Sequence, residues 1–326
     1  MAARPPGAPF TQADGPAVRT ERRLYSNRSM LPNEMFAVTK VFVVRKLSIL
    51  GPGLLGGSIG LAARHRKAAS RVAIWARRPD AADEAYKIGA ADEATTDLRK
   101  TVAEADLVVL ATPIGAMREL GEKIRPALPD SCIVTDVGSV KYPVVAALSD
   151  VFQGKARFVG SHPMAGSEQA GIEAARRDLF DNAVCIVTPR EDTDKAALQV
   201  VHDFWKALGC SVKTLAPAEH DEIVARISHL PHVVAAAVIN VVCNDGGHPL
   251  NFVGPGFKDF TRIASGPFEM WTEICLENRE EIGRALDQLI EELGKVRAAI
   301  ENADTVELRT MLKRAKHFRD ELRFRT

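Results

Sequence analysis

The residue of this sequence best suited to take up a proton is His162. It lies in the run GSHPMAGSE, residues 160–168, directly after an apolar run typical of a β-strand. Pro163 lacks a backbone donor and biases the residue before it away from helical geometry, so we expect the strand to end at Gly160 and His162 to stand on a rigid turn. A histidine at a strand end can act as a general base; a loop histidine without a chemical role is the competing interpretation.

A glycine turn earlier in the chain predicts a dinucleotide site. Gly51, Gly53 and Gly56 match the pattern GxGxxG, between the apolar run KLSIL and a helical pattern. The first glycine permits the tight turn, the second lets the backbone approach a pyrophosphate, and the third allows close packing of helix on strand. Leu54 and Leu55 lie at the helix N-terminus, which faces the phosphates.

The end of the second predicted strand bears on the identity of the cofactor. An NAD site usually carries Asp or Glu there, but that position falls at about Ala76 and is followed by Arg77 and Arg78. Two cations suit a 2′-phosphate, so the sequence favours NADP over NAD. Asp80 is close enough in sequence to keep NAD open.

Two further strand ends carry polar residues. In TDVGSVK the hydroxyl of Ser139 could reach the nicotinamide or a substrate oxygen, but serine is also a preferred helix N-cap. In ATPIGAM, Thr112 and Pro113 end a strand where the cofactor would lie.

The run SHLPHVVAAAVIN offers Ser228, His229 and His232 in a helical pattern. Pro231 separates the two histidines and no third ligand has a characteristic spacing, so we predict polar contact with a substrate rather than a metal site.

A candidate anion clamp follows in GPGFKDFTRIASGP. Lys258 and Arg262 are four residues apart and would share a face of a helix, where Arg262 could bind a carboxylate in a bidentate manner. A surface pair balanced by Asp259 is the alternative.

The alternation of apolar runs and helical patterns predicts an α/β fold with a Rossmann-like, mostly parallel sheet, followed by an all-helical domain. We expect a low-order extension over residues 1–45, a dinucleotide-binding domain over 46–216, and a helical substrate and dimerisation domain over 217–326. The predicted strands are 46–50, 71–76, 106–112, 132–137, 156–160, 183–189 and 211–215.

Composition excludes several classes of protein. The chain has 326 residues, 46% hydrophobic and 26% charged, with a net charge of +1, so no nucleic-acid partner is indicated. Its five cysteines lack CxxC spacing, which suits a reducing cytoplasm and suggests no metal site. Apolar stretches are broken short of the roughly 20 residues of a membrane span, so we expect no membrane segment.

Taken together, GPGLLGGS, TDVGSVK, GSHPMAGSE, SHLPH and FKDFTRIA, in this order, resemble the prephenate and arogenate dehydrogenases of tyrosine biosynthesis. The resemblance covers about residues 46–300. It implies a Rossmann-like domain, a helical dimerisation domain, an active site between them, and a homodimer that oxidatively decarboxylates prephenate to 4-hydroxyphenylpyruvate with NAD(P).

By the same resemblance, His162 would accept the proton of the substrate's 4-hydroxyl and Ser139 would orient that hydroxyl and the nicotinamide. Arg262 would pair with the ring carboxylate. The pocket around the second acidic arm would be completed by Lys258, His232, Ser228 and Ser167.

Arogenate differs from prephenate by an amino group in place of the keto group. In the family an acidic residue after the histidine loop tends to accompany arogenate use, and the matching position here is Asn182, which favours prephenate; the adjacent Asp181 would reverse that preference. A β-hydroxyacid dehydrogenase, an imine reductase and a non-catalytic NADP-binding regulator remain as alternatives.

Overall fold

The structure is a computed structural model that describes residues 43–167, 169–244 and 246–322. Most of the predicted extension over residues 1–45 therefore lies outside the described residues, as does Glu168 at the end of the GSHPMAGSE run.

The first part of the described chain is an eight-stranded sheet with the order β3-β2-β1-β4-β5-β6-β7-β8. All neighbouring strands pair in parallel except β6 and β7. The elements are β1 Val44–Leu50, α1 Leu54–His65, β2 Ala69–Trp75, α2 Pro79–Lys87, β3 Glu93–Thr95, α3 Leu98–Val102, β4 Leu107–Leu110, α4 Ile114–Ile124, β5 Ile133–Asp136, α5 Tyr142–Phe152, β6 Arg157–Pro163, β7 Val184–Thr188, α6 Lys195–Ala207 and β8 Ser211–Thr214.

This arrangement confirms the predicted Rossmann-like fold. The order of its first six strands, 3-2-1-4-5-6, is that of dinucleotide-binding sheets, whose ligands lie at the carboxyl ends of the strands. The apolar strand runs predict burial on both faces, and β4 and β5 are buried along their whole length. One apolar core lies on each face of the sheet, around Ile49 and Trp205 on one side and Leu110 and Phe152 on the other.

Several strand ends differ from the prediction by one or two residues, and three differences have a structural reason. The short edge strand β3 was not predicted, because three residues, Glu-Ala-Thr, carry too little apolar pattern to indicate a strand. The first strand begins at Val44, two residues before the predicted start of the domain, since Val44 is buried and Arg45 pairs with Asp106. The third difference concerns the strand that carries His162.

The prediction that this strand ends at Gly160 is wrong, because β6 continues to Pro163 and pairs with β7, with His162 opposite Ile186. The backbone N–H of Ser161 faces β5 and donates to Asp136, whereas that of Met164 faces β7 and donates to Val184. A backbone N–H at position 163 would therefore point towards β5, but the pairing of β5 with β6 has already ended there. Proline at this position costs the pairing of β6 with β7 no hydrogen-bond donor.

After β8 the described residues form helices and turns but no strand, which confirms the predicted helical second part. The elements are α7 Pro217–Val224, a π-helical turn Ala225–His229, α8 Leu230–Val242, α9 Pro255–Thr261, α10 Phe268–Glu277, α11 Arg279–Glu301 and α12 Thr305–Glu321.

The continuous helix Pro217–Val242 corrects the expectation that every apolar stretch is too short for a membrane span. It has 26 residues, and an 18-residue window within it has a mean hydropathy of 1.4, which meets the length and composition of a span, as the core helix of a globular protein also can. The expectation failed because Pro231 does not interrupt this helix: it lies in the first turn of α8, directly after the π-helical turn. The same helix carries His220, Asp221 and His229 towards the site described next.

Candidate active site

The glycine turn has the geometry that a dinucleotide cofactor requires. Gly51 has φ +112°, and a Cβ there would lie 2.6 Å from the carbonyl oxygen of Ala111. A Cβ at Gly56 would lie 1.9 Å from the carbonyl oxygen of Gly51, whereas a Cβ at Gly53 would meet only open space. Gly53 precedes α1, so the amides of Leu54 and Leu55 begin the helix beside this open space. These residues therefore fit a bound pyrophosphate.

Other predicted cofactor residues lie at neighbouring strand ends. Thr112 and Pro113 follow β4, and the hydroxyl of Thr112 is buried without a partner among the described residues. Arg77 and Arg78 follow β2 and are exposed, and Arg78 lies 3.8 Å from Asp80.

A cavity of about 420 Å³ brings together the residues predicted to bind or transform the substrate. One side, which we call the sheet wall, consists of Ser139 and residues 162–167, including His162 and Ser167. The other lining residues, which we call the helical wall, come from α8, α10 and the segments before them and include Ser228, His229, His232, Arg262 and Trp271.

His162 is a neutral base held in the sheet wall. Its side chain is 7% exposed, and its Nδ1 lies 2.9 Å from Nε2 of His220. Burial lowers the pKa of this imidazole well below its ordinary value, and His220, Lys141 and His229 lower it further. A neutral imidazole can accept a proton, so the arrangement supports general-base chemistry.

A buried ion pair fixes the strand ends on which His162 and Ser139 depend. Lys141 and Asp136 are both fully buried and paired, and Lys141 also donates to the carbonyl oxygen of Ser161, 2.9 Å away. The Asp136 carboxylate accepts the backbone N–H of Gly138 at 2.8 Å and that of Ser161 at 3.1 Å. This pair ties the end of β5 to β6. Sequence reasoning assigned it no role.

Ser139 does not cap α5, which was the alternative to a role in the site. The helix begins at Tyr142, and its capping acceptor comes from α7: Asp221 accepts the backbone N–H of Lys141 at 2.7 Å and that of Tyr142 at 2.8 Å. Ser139 is half-buried and lines the cavity instead.

His229 presents a hydrogen-bond donor to the helical wall. The amide nitrogen of Asn278 donates to the backbone oxygen of Asp221, 3.0 Å away, and lies 3.1 Å from Nδ1 of His229. That nitrogen can only donate, so Nδ1 accepts and the proton of neutral His229 resides on Nε2. Nε2 is buried without a partner among the described residues, and burial lowers the pKa of His229 to about 4. Sequence reasoning noted His229 but did not select it.

The rest of the helical wall includes a guanidinium group, on Arg262, and two stacked aromatic rings, on His232 and Trp271. Arg262 lines the cavity directly after α9. The His232 ring stacks on Trp271 with centroids 3.4 Å apart and an interplanar angle of 10°. Trp271 carried no motif in the sequence and was missed.

The structure does not bring Lys258 into the cavity beside Arg262. Helix α9 ends at Thr261, and Arg262 begins a 3-10 turn. Lys258 is exposed and does not line the cavity.

The positions considered for substrate preference also lie outside the cavity. Asp181 forms an ion pair with Arg66, and the backbone N–H of Asn182 donates to Gly209 at 3.0 Å. Neither residue is among those that line the cavity.

Comparison with known proteins identifies the family. A family model described as the nucleotide-binding domain of prephenate dehydrogenase matches residues 59–214, and one described as its dimerisation domain matches residues 216–314. The chain is 36% identical over 281 residues to a prephenate dehydrogenase of Bacillus subtilis, an alignment covering 85% of this chain and 76% of that protein.

The chain belongs to the prephenate dehydrogenase family. Among solved structures it is similar to prephenate dehydrogenase from A. aeolicus in complex with hydroxyphenyl propionate and NAD+, with a TM-score of 0.81 and 32% identity over 86% of this chain and 98% of that one. It is also similar to Synechocystis arogenate dehydrogenase, with a TM-score of 0.74 and 31% identity over 85% and 99% of the two chains.

Family membership confirms the resemblance carried by the five motifs. The protein is therefore an oxidoreductase with a Rossmann-type domain that binds NAD(P) and a helical part that matches a dimerisation domain. Among the described residues no group of three His, Cys, Asp or Glu side chains could hold a metal ion.

Proposed function

We propose that this protein oxidises prephenate to 4-hydroxyphenylpyruvate in tyrosine biosynthesis, with release of carbon dioxide. The observation that carries the proposal is one cavity lined both by the neutral base His162, from the sheet part, and by the cation Arg262, from the helical part. Prephenate has a matching pair of groups, a ring hydroxyl that must lose a proton and carboxylates that need a cation. NAD(P) supplies the hydride acceptor.

His162 takes the hydroxyl proton during hydride loss from the same carbon. The carbon becomes a carbonyl, and the ring carboxylate then leaves as carbon dioxide. Its bonding electrons complete the aromatic ring, the carbonyl π electrons move onto oxygen, and that oxygen regains a proton to give the phenol. Ser139, half-buried in the same wall, orients the hydroxyl by a hydrogen bond. Most of the driving force comes from the aromatic product, so the protein needs only to manage one proton and hold the reacting atoms in place.

Arg262 pairs with the ring carboxylate, and the other polar groups of the cavity hold the second acidic arm. The buried Nε2–H of His229 is a donor that a carboxylate or keto oxygen would satisfy. His232, stacked on Trp271, lies on the same wall with Ser228, and Ser167 closes the sheet side.

Prephenate is favoured over arogenate by the charge of the cavity. The cavity-lining residues that the structure describes include Arg262 and several histidines but no carboxylate to pair with the ammonium group of arogenate. Glu168, beside Ser167, lies outside the described residues, so a direct comparison of the two substrates is part of the test.

We further propose NADP as the preferred cofactor. Arg77 follows the buried Ala76 at the end of β2, where the adenosine ribose lies in such folds, and its exposed guanidinium suits a 2′-phosphate. Asp80, 3.8 Å from Arg78, offsets part of the second charge, so Arg77 makes the main contribution.

We propose a cytoplasmic homodimer, with the two domains divided at residues 216 and 217. Large apolar side chains on the helical part are strongly exposed, among them Val241 (76%), Phe268 (75%) and Val306 (77%), as expected of faces that a second copy covers. All five cysteines are free thiols, which agrees with a reducing compartment.

The proposal is tested by mixing the purified protein with prephenate or arogenate, each with NAD or NADP, and measuring cofactor reduction and carbon dioxide release. We expect the highest kcat/KM with prephenate and NADP. Turnover of arogenate alone would replace the proposed substrate, and no turnover in any of the four mixtures would overturn the dehydrogenase assignment.

A further inference from the structure

Behind His162, on the side away from the cavity, lies a line of two buried side chains that the proposed reaction does not use. Nδ1 of His162 lies 2.9 Å from Nε2 of His220, and Nδ1 of His220 lies 2.7 Å from Oδ1 of Asp221. His220 is 0% exposed and Asp221 is 3% exposed, and neither lines the cavity. Neither side chain is therefore placed to touch the substrate, and their hydrogen-bonded link to the reacting atoms runs through His162.

The hydrogen bonds along this line fix where each proton resides. Backbone N–H groups donate to both oxygens of Asp221, from Lys141 at 2.7 Å and Tyr142 at 2.8 Å, so the carboxylate is an acceptor towards His220 as well. His220 must then carry its proton on Nδ1 and accept at Nε2. Its neighbour His162 consequently donates from Nδ1, which leaves Nε2 of His162 as an unprotonated acceptor.

Asp221 is itself held rigidly, so the direction of the line cannot reverse. Its oxygens complete the N-terminus of α5, and its backbone oxygen accepts the amide of Asn278, 3.0 Å away. Reversal would require a neutral carboxyl at Asp221, and a neutral carboxyl is a weaker acceptor than a carboxylate for the backbone N–H groups of Lys141 and Tyr142.

We propose that His220 and Asp221 are positioning residues that hold His162 in the single tautomer able to accept the substrate's proton, and that stabilise the imidazolium formed when it does. This inference rests on the proposed function, because it assigns His162 the role of base. When Nε2 of His162 gains a proton, His220 remains the acceptor for Nδ1–H, and the negative charge of Asp221 lies behind it.

Other charged or titratable groups face this line and leave the assignment of the proton unchanged. Lys141 opposes a positive charge on both His162 and His220, whereas Asp136 favours one on His220. His229 faces His162 from the π-helical turn and is neutral by burial. Asp221 is the only one of these groups that accepts a hydrogen bond from an imidazole of the line.

The kinetic test compares His220→Leu with His220→Gln. Leucine removes the acceptor behind His162, so we expect kcat to fall by roughly 10²-fold, with KM for prephenate within about twofold, because only the proton-transfer step loses stabilisation. The amide oxygen of glutamine can accept from His162 Nδ1–H, so the kcat of His220→Gln should be at least about tenfold higher than that of His220→Leu. An unchanged kcat in His220→Leu, or an equal loss in a folded His220→Gln, would overturn the proposal.

The matched control is His202, which also precedes an aspartate and whose Nδ1 lies 3.5 Å from Asp203, but on α6 and away from the cavity. We expect His202→Leu and His202→Gln to keep the wild-type kcat and KM.

The second readout is the 15N NMR spectrum of labelled histidine, with His162 assigned by its loss in His162→Asn. We expect wild-type His162 at neutral pH to carry its proton on Nδ1 only, and His220→Leu to show a mixture of tautomers. A wild-type proton on Nε2 would overturn the proposal even if the enzyme is active. If the wild type shows the expected tautomer but oxidises no prephenate, the positioning stands and the proposed substrate falls.

Discussion

The two walls of the cavity are built differently. In the sheet wall, two sets of fully buried groups support His162 and Ser139: the ion pair of Asp136 and Lys141, and the hydrogen-bonded line through His220. Their positions are therefore set by hydrogen bonds that are shielded from water. The helical wall combines the buried His229 and His232 with an exposed cation, Arg262, and the half-buried Trp271. The difference indicates a division of labour in which the rigid wall performs the chemistry and the more open wall holds the anionic substrate.

The largest expected effect is on the chemical step. His162→Asn removes the proton acceptor from the sheet wall, so kcat should fall by roughly 10²- to 10⁴-fold, the usual scale of general-base catalysis. The Kd of the cofactor, measured by fluorescence titration, should stay at its wild-type value. Retention of full activity would remove the chemical role from the sheet wall and return His162 to the status of a structural strand residue.

The next effect is on stability. Lys141→Met leaves the buried carboxylate of Asp136 without its cation, so the free energy of unfolding, measured by urea denaturation, should fall by about 3–5 kcal/mol. Lys123→Met is the matched control, since Lys123 pairs with Glu119 on the exposed face of α4 and should leave stability nearly unchanged. Equal stability of the two variants would show that the buried pair does not hold the sheet wall in place.

A smaller effect is expected outside both walls, at the cofactor. Arg77→Ser removes the cation proposed to meet the 2′-phosphate, so KM for NADP should rise about tenfold, the equivalent of about 1.4 kcal/mol, while KM for NAD stays constant. Arg309→Ser, an exposed position on α12, serves as the control. If the wild type prefers NAD and Arg77→Ser leaves KM for NADP unchanged, the NADP assignment is contradicted.

What the sequence predicted correctly depended on local patterns. The glycine turn requires only a strand, a tight bend and a helix within a few residues, so Gly51 and Gly56 could be assigned from spacing. The apolar runs likewise predicted the strands to within a few residues, apart from the short β3 and the extension of β6 through Pro163.

What the sequence did not predict depended on tertiary contacts. His162 and His220 are 58 residues apart, and no periodicity connects them. The interaction of Asn278 with His229 spans 49 residues in the same way. The spacing of Lys258 and Arg262 could not show which of the two lines the cavity, because spacing along a helix does not report where the other walls of a site lie.

The division of labour between the walls is tested most directly by the Kd of prephenate in the absence of cofactor, where no oxidation takes place, measured calorimetrically on the wild type, Arg262→Ala and His162→Asn. Arg262→Ala should raise the Kd at least about tenfold, because a charge-assisted hydrogen bond contributes about 1.5–3 kcal/mol, and it should raise KM correspondingly. His162→Asn should change the Kd by less than about fivefold, since a neutral hydrogen bond contributes about 1 kcal/mol. Equal weakening by the two variants, or an unchanged Kd in Arg262→Ala, would contradict the account.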